Sequence, residues 1–363
     1  MPNSYQYIRV KQCYFCIQQN PLVFIWSSCF SQNSRLLKSL GIGKSTIIRA
    51  FKWMLMLRAR PRVAKEMIEL PVFGAVCISV HRGHKVFDIQ NNVVTKILSQ
   101  QADLRSVEQE IRAVAQASRL EFSPGMVSQG ADDRWYAEDY IRGEHAQLEA
   151  SLDSAKLMSF YQEHVEGCIV KMAMLRTPVV LPVEQHVQNL LSSLESSELR
   201  KQDARDKVAT IVAFVLNMAT RLREFQSEHV VLVFSHGDFA IPNMLLAREG
   251  LRVIDWESAS YRSMLHDLHN FFLAELYFNR AATPLVGELR DASDSLLSKL
   301  QQLPTVVIPD AEYLEIYRRI YFLERIVTLA QRDLNRRQLN MLLRSVSLFQ
   351  HYDETAGIGR VQL

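Results

Sequence analysis

The chain has 363 residues, with 42 Lys and Arg against 39 Asp and Glu, a net charge of +3. A hydrophobic share of 48% with 22% charged residues excludes wholesale disorder, and 13 Gly and 11 Pro exclude a collagen-like or low-complexity chain. The charge is uneven: residues 1–65 hold five Lys, six Arg and no carboxylate, which leaves 31 basic and 39 acidic side chains, a net of −8, for the rest.

This length suits one large domain or two lobes. No stretch reaches the roughly 18 apolar residues needed to cross a bilayer. The apolar run 21–26 is too short, and no small-residue cleavage pattern follows it. Five Cys (13, 16, 29, 77 and 168) are an odd and sparse set, which points to a reducing cytoplasm. Cys13-x-x-Cys16 has no second pair, so the spacing gives poor support for zinc or redox chemistry.

Residues 1–33 are aromatic, basic and rich in Gln, Asn and Ser, without periodicity, and read as an irregular extension. Residues 45–60 read as a helix. Ser45 can cap it, Ile47, Ile48, Phe51, Met54 and Leu55 share one face, and Pro61 stops it. With Arg49, Lys52 and Arg60 elsewhere on its surface, such a helix suits either an anionic membrane surface or packing on its own protein. Gly43-Lys44-Ser45-Thr46 is not a P-loop, because Lys38 stands where the first glycine is needed and no strand precedes it.

Residues 73–98 predict a three-stranded antiparallel meander with turns at 81–84 and 90–92. A helix follows at about 106–118, with Val107, Ile111, Val114 and Ala115 on one side. Residues 135–141 read as a strand ending at Arg142-Gly143. Beyond it the chain reads as mostly helical, at about 145–174, 198–227, 263–280, 285–301, 311–332 and 334–350. Two short apolar strands, 230–234 and 251–254, interrupt the helices. The fold class is therefore α+β: a small antiparallel β lobe and a large helical lobe.

The informative stretch is His236-Gly237-Asp238-Phe239-Ala240-Ile241-Pro242-Asn243, just past the first of those strands. A short loop can turn an Asp and an Asn of this spacing toward one point, the Asp facing a hydroxyl and the Asn a cation. The spacing matches the kinase catalytic loop. Twelve residues on, Asp255 ends an apolar strand in Ile254-Asp255-Trp256-Glu257, where a carboxylate can bind a metal that bridges phosphates.

These two segments resemble the hallmark of the aminoglycoside phosphotransferase and choline kinase family, which has a bilobal protein-kinase-like fold. The resemblance spans about residues 72–350 and leaves the basic head, residues 1–70, outside it. It implies ATP and Mg²⁺ as cofactors. Lys96 falls at the phosphate-holding lysine and Glu110 at its helical partner, with Glu108 as a rival. Glu138 and Tyr140 fall in the hinge whose backbone would hold adenine, and 81–84 falls at the nucleotide loop, here with one Gly. Asn243 and Asp255 would hold the metal, and Asp238 would accept the proton of the substrate hydroxyl. His236 would fix the loop by hydrogen bonding, and Asp267 matches a family Asp that organises it, unless it is a plain helix cap.

Trp256-Glu257 stands in place of the Phe-Gly of protein kinases and no Ala-Pro-Glu follows, so there is no room for an activation loop and peptide platform. The acceptor expected is a hydroxyl of a small molecule or glycan. One reading is a sugar of a membrane glycolipid such as lipopolysaccharide core, with peripheral contact through residues 1–65 on the inner membrane face. Another is a soluble kinase for a small amine or amino sugar, and a third is a kinase-like binding protein without turnover. Asp291, Asp294 and Glu315 are available to a cationic acceptor. Trp256, Tyr261, Phe271, Phe272, Tyr277 and Phe278 could box one, though helical spacing more often marks core. The basic head holds no nucleic-acid recognition motif and predicts only non-specific contact with polyanions.

Overall fold

A computed structural model describes residues 4–10, 13–18, 67–80, 82–130, 134–146, 154–195, 205–226, 228–278, 286–302, 313–330 and parts of 339–350. The expected helix at 45–60, the 43–46 segment and Cys29 lie outside the described residues, as does much of 334–350.

In chain order the strands and helices begin with β1 (Tyr5–Val10), β2 (Cys13–Cys16), β3 (Met67–Leu70), β4 (Val76–Val80), β5 (Gly83–Asp88) and β6 (Val93–Leu98). Next come α1 (Leu104–Ala117), β7 (Met126–Gln129), β8 (Trp135–Asp139), β9 (Gly143–His145), α2 (Ser154–Phe160) and α3 (Glu166–Met174). Then follow β10 (Val179–Pro182), α4 (Val183–Glu195), α5 (Arg205–Leu222), β11 (His229–Ser235), β12 (Met244–Ala247) and β13 (Gly250–Val253). The last are β14 (Ser260–Ser263), α6 (His266–Phe278), α7 (Val286–Leu300) and α8 (Tyr313–Ala330). The α+β class expected from the sequence is what the chain adopts.

Two compact units result. The first comprises Met1–Gln147 with Pro242–Ser258, and the second Leu148–Ile241 with Ala259–Leu363. The first unit holds an eight-stranded sheet in the order β3-β1-β2-β4-β5-β6-β8-β7, and a three-stranded sheet β13-β12-β9. The expected meander is β4-β5-β6, and the residues past Tyr140 leave the large sheet to pair with β12 through β9.

Residues 5–10 and 13–16 correct the reading of an irregular extension. They form β1 and β2, and β2 pairs with β4 at Cys13↔Ile78 through Phe15↔Val76. Strand alternation then sends successive side chains to opposite faces. Ile8, Cys13 and Phe15 join Val76, Phe87 and Val94 in one apolar cluster. Tyr7, Tyr14 and Cys16 join Cys77 and Val86 in another. Each fully buried apolar side chain contributes roughly 1.5–3 kcal/mol, so this hairpin is part of the sheet's core. Cys13 and Cys16 therefore face opposite sides and form no thiol pair. Their polar and aromatic neighbours hid the strand signal, because Tyr and Gln interrupt any hydrophobic alternation.

In α1 the Asp103 carboxylate caps the helix by accepting the Ser106 N–H at 3.0 Å. Val107, Ile111, Val114 and Ala117 are buried on one stripe, and Glu110 lies on that stripe too. The exposed strand β7 carries no apolar alternation, which is why the sequence reading passed over it.

The second unit packs its helices around the sheet β10-β11-β14. Strand β11 is central and apolar, as the run 230–234 predicts, and its residues from Val230 to Ser235 are buried. The expected continuous helix 145–174 is instead α2, a π-helical turn at Tyr161–Val165, and α3. The expected aromatic side chains Phe271 and Phe272 are fully buried in this unit and belong to its core. Trp256 is buried in the first unit beside Phe122. The side chains of Tyr277 and Phe278 lie outside the described residues.

Candidate active site

The first unit carries a buried charge cluster on one face of its large sheet. β5, β6 and β8 are laddered so that Lys85 stands opposite Lys96, and Lys96 opposite Tyr136. Two lysines opposed across a ladder repel each other and are tolerated only when each is neutralised. Lys96 pairs with Glu110 at 2.6 Å and also with Glu257. Lys85 pairs with Asp255. Tyr136 donates its hydroxyl to Glu110 at 3.1 Å.

The helix stripe decides between the two glutamates of α1. Glu110 is buried against Lys96, whereas Glu108 is exposed and pairs with Arg112 one turn on, at 3.2 Å. Burial raises the Glu110 carboxyl above its ordinary range, against the pull of Lys96. Burial alone would lower the Lys85 ammonium, but Asp255, Glu138 and Glu257 together raise it.

Glu138 lies near the end of β8 and Tyr140 just past it, at the start of the segment expected as the hinge. Glu138 lies inside the sheet, between Val94 of β6 and Met126 of β7, so its backbone serves the ladder. Its buried side chain belongs to the charge cluster, where burial pushes the carboxyl up to about 7 while Lys85 and Lys96 oppose the rise. Tyr140 donates its N–H to the Asn92 carbonyl at 2.8 Å, and its ring packs edge-on against Phe87. Of the expected nucleotide loop, His81 lies outside the described residues, and Val80 and Gly83, with two residues between them, are laddered with each other. Arg82 in it has φ 62°, and its carbonyl accepts the Ser99 N–H at 2.7 Å.

Asn243 and Asp255 flank one end of the β12–β13 hairpin. Met244 pairs with Val253, and the Ile254 N–H donates to the Asn243 carbonyl at 2.9 Å. Asp255 is left-handed at φ 69°, a conformation that Asp tolerates and bulky residues do not. Trp256 anchors the next turn by donating its indole N–H to the Val253 carbonyl at 2.8 Å, which aims Glu257 at Lys96. Among the described residues no group of three or more His, Cys, Asp or Glu converges as a metal cage. The donor set fits Mg²⁺ nonetheless. That ion is held by one or two protein oxygens and takes its remaining ligands from phosphate and water. Four carboxylates against two lysines also leave negative charge for a cation to balance.

The second unit carries the other half of the motif. Gly237 takes φ 78°, a left-handed conformation that glycine adopts without strain, and its N–H and that of His236 share one acceptor. Both donate to Asp267, at 2.7 Å to Oδ2 and 3.0 Å to Oδ1. Asp267 thus holds the loop, as the family resemblance implies, and is not a simple helix cap. His236 is fully buried, and its Nδ1 accepts the Asp238 N–H at 3.2 Å. Arg325 of α8 donates to Asp238 Oδ1 at 3.1 Å.

The neighbouring Glu324 accepts four hydrogen bonds: from Ser263 N–H at 2.9 Å, Ser263 Oγ at 2.8 Å, His186 Nε2 at 2.9 Å and His266 Nδ1 at 2.7 Å. Burial alone would raise this carboxyl, but those hydrogen bonds hold it well below the usual carboxylate range. Burial lowers His266 in turn; its Nδ1 faces Glu324, and its buried Nε2 has no hydrogen-bond partner among the described residues. Of the carboxylates considered for a cationic acceptor, Glu315 is tied to Arg318 and Arg319, and Asp291 and Asp294 are exposed.

Sequence reasoning missed Lys85, Glu257, Arg325 and Glu324. Only Lys85 left a signal. Counting back across the turn at 90–92 pairs 88 with 93 and therefore 85 with 96.

The model of the choline/ethanolamine kinase family matches residues 139–295, which contain Asp238, Asn243, Asp255 and Asp267 but not Lys96 or Glu110. No curated protein sequence matches the chain. Similar solved structures include a choline kinase from Cryptosporidium parvum, 11% identical over 78% of this chain and 88% of that one, with a TM-score of 0.47. The choline kinase LicA from Streptococcus pneumoniae is 13% identical over 76% and 89%, with a TM-score of 0.45. An aminoglycoside phosphotransferase from Streptomyces rimosus is 13% identical over 69% and 91%, with a TM-score of 0.39. Similarity this distant says nothing about the substrate. The family matched is the one the sequence resembles, with residues 139–295 carrying the choline/ethanolamine kinase pattern.

Proposed function

We propose that this protein is an ATP-dependent phosphotransferase that moves the γ-phosphate to a hydroxyl of a small molecule or glycan. The observation that carries the reading is the buried Lys96–Glu110 pair, in the same unit as Asn243 and Asp255 and on the same face as Lys85. Phosphoryl transfer asks a protein for positioning and charge neutralisation rather than covalent chemistry. Lys96 neutralises phosphate charge and Glu110 holds its ammonium in place. Asn243 and Asp255 hold the cation. Mg-ATP supplies the phosphoryl group and spreads its negative charge over the metal. Asp238 orients the acceptor hydroxyl and takes its proton as the oxygen bonds to phosphorus and the bridging oxygen leaves with ADP. Arg325 fixes the Asp238 carboxylate, and Asp267 with His236 fixes its backbone.

The cytoplasm, where thiols stay reduced, suits the free Cys13, Cys16, Cys77 and Cys168. A glycolipid sugar as acceptor, with the basic head touching the inner membrane face, draws support only from the charges outside β1 and β2, since those strands belong to the sheet. No described helix is long and apolar enough to cross a membrane.

The test is phosphate transfer from Mg-ATP to a panel of choline, ethanolamine, amino sugars, aminoglycosides and core sugars. One or more acceptors should be phosphorylated, and Asp238→Asn should lower kcat by about 10²- to 10⁴-fold. A wild-type protein that binds no nucleotide would overturn the reading in favour of a non-catalytic binding protein. The membrane arm uses anionic vesicles and full-length protein with its Lys and Arg between 35 and 65 changed to Gln. Equal co-sedimentation of variant and wild type would remove the membrane contact.

A further inference from the structure

The position of Lys85 is unexplained by the family pattern, which asks for one phosphate lysine. The residue lies on β5, directly across the ladder from Lys96, so both ammonium groups leave the same face of the sheet. Its side chain is 11% exposed, and it pairs with Asp255, a proposed metal ligand 170 residues away. A buried lysine opposite another lysine is a costly arrangement with no packing rationale of its own.

The neighbouring turn supplies the missing context. A glycine-rich loop binds phosphates through several backbone N–H groups. Here only two residues separate the paired Val80 and Gly83, too few for that, and Gly83 is also laddered with Leu98. Two residues further along the same strand stands Lys85. We propose that Lys85 is a second phosphate-binding lysine that takes over from the short turn, and that it occupies Asp255 when no divalent cation is bound. This rests on the phosphotransferase reading above.

The two roles predict effects of opposite sign. Without Lys85, Asp255 loses the ammonium that pairs with it, so a divalent ion alone should bind more tightly. The nucleotide loses a positive charge, so ATP without metal should bind more weakly. A lysine that only balanced charge in the fold would produce neither pattern.

The experiment compares wild type, Lys85→Met, Lys85→Arg and Lys96→Met by calorimetric titration with ATP in chelator, and separately with Mn²⁺ alone. For Lys85→Met we expect ATP affinity to fall by about tenfold and Mn²⁺ affinity to rise by roughly three- to tenfold. Lys85→Arg should restore ATP binding. As a measurement that does not depend on a variant folding, Lys85 acylation in the wild type is read by mass spectrometry. It should rise with Mn²⁺ alone and fall with ATP. If Lys96→Met loses ATP binding while Lys85→Met keeps it, or if neither ligand changes Lys85 acylation, the proposal is overturned and the phosphotransferase reading stands. If the wild type binds neither ATP nor Mn²⁺, both fall together.

Discussion

Glu110 Oε1 lies 2.6 Å from Lys96 Nζ, and both side chains are almost completely buried. Breaking such a pair from one side leaves an uncompensated charge in a low-dielectric setting, which costs about 3–5 kcal/mol. Lys96 also pairs with Glu257, so loss of Glu110 is partly covered. Loss of Lys96 strands two carboxylates. Lys96→Met should therefore destabilise more than Glu110→Gln, and chemical denaturation of the two variants at neutral pH measures the difference. Equal effects would mean that Glu257 gives no support.

Asp267 accepts hydrogen bonds from two buried backbone N–H groups, those of His236 and Gly237. An unsatisfied buried donor costs about 1–3 kcal/mol, and a loop held by two such bonds loses its shape when both go. Asp267→Ala should lower stability by roughly 2–4 kcal/mol and reduce kcat far more than it changes ATP affinity. A variant with unchanged kcat would show that Asp267 plays no part in presenting Asp238.

His269 is buried between the Leu265 carbonyl, 2.7 Å from its Nδ1, and the ring of Tyr321. Burial lowers its pKa to about 4. The unfolded chain therefore takes up a proton as pH falls below about 6.5, while the folded chain resists until about 4. The associated stability is fully present above pH 6.5 and is lost as pH falls through that window, on the order of 3 kcal/mol in all. His269→Phe should flatten that part of the stability-against-pH curve. The neighbouring His266, also lowered by burial, keeps part of the slope, so an unchanged curve is the adverse result.

Phe15 is fully buried on β2. Phe15→Ala should cost about 3–5 kcal/mol, and a chain starting near residue 68 should lose solubility, because β4 would become an open edge and the clusters around Val76 and Cys77 would lose their cover. Thermal melting and expression in soluble form test both. A truncated chain as stable as the whole would return β1 and β2 to the status of an appendage.

Local pattern in the sequence determined a good deal. The meander at 73–98, the α1 stripe, the apolar strand before His236 and the His-Gly-Asp…Asn spacing are all properties of neighbours in the chain, and period and spacing express them directly. The +3 total, split between a basic head and a body of −8, was also visible, but it suggested a boundary near residue 65 that the fold does not respect. Strand pairing across some sixty residues, as between Tyr5 and Leu70, leaves no periodic trace. The same holds for the chemistry. Lys85 meets Asp255, Lys96 meets Glu257 and Arg325 meets Asp238 across 170, 161 and 87 positions. Only tertiary structure decides which charges neutralise one another, because the strength of an ion pair depends on distance and burial in space and not on separation along the chain.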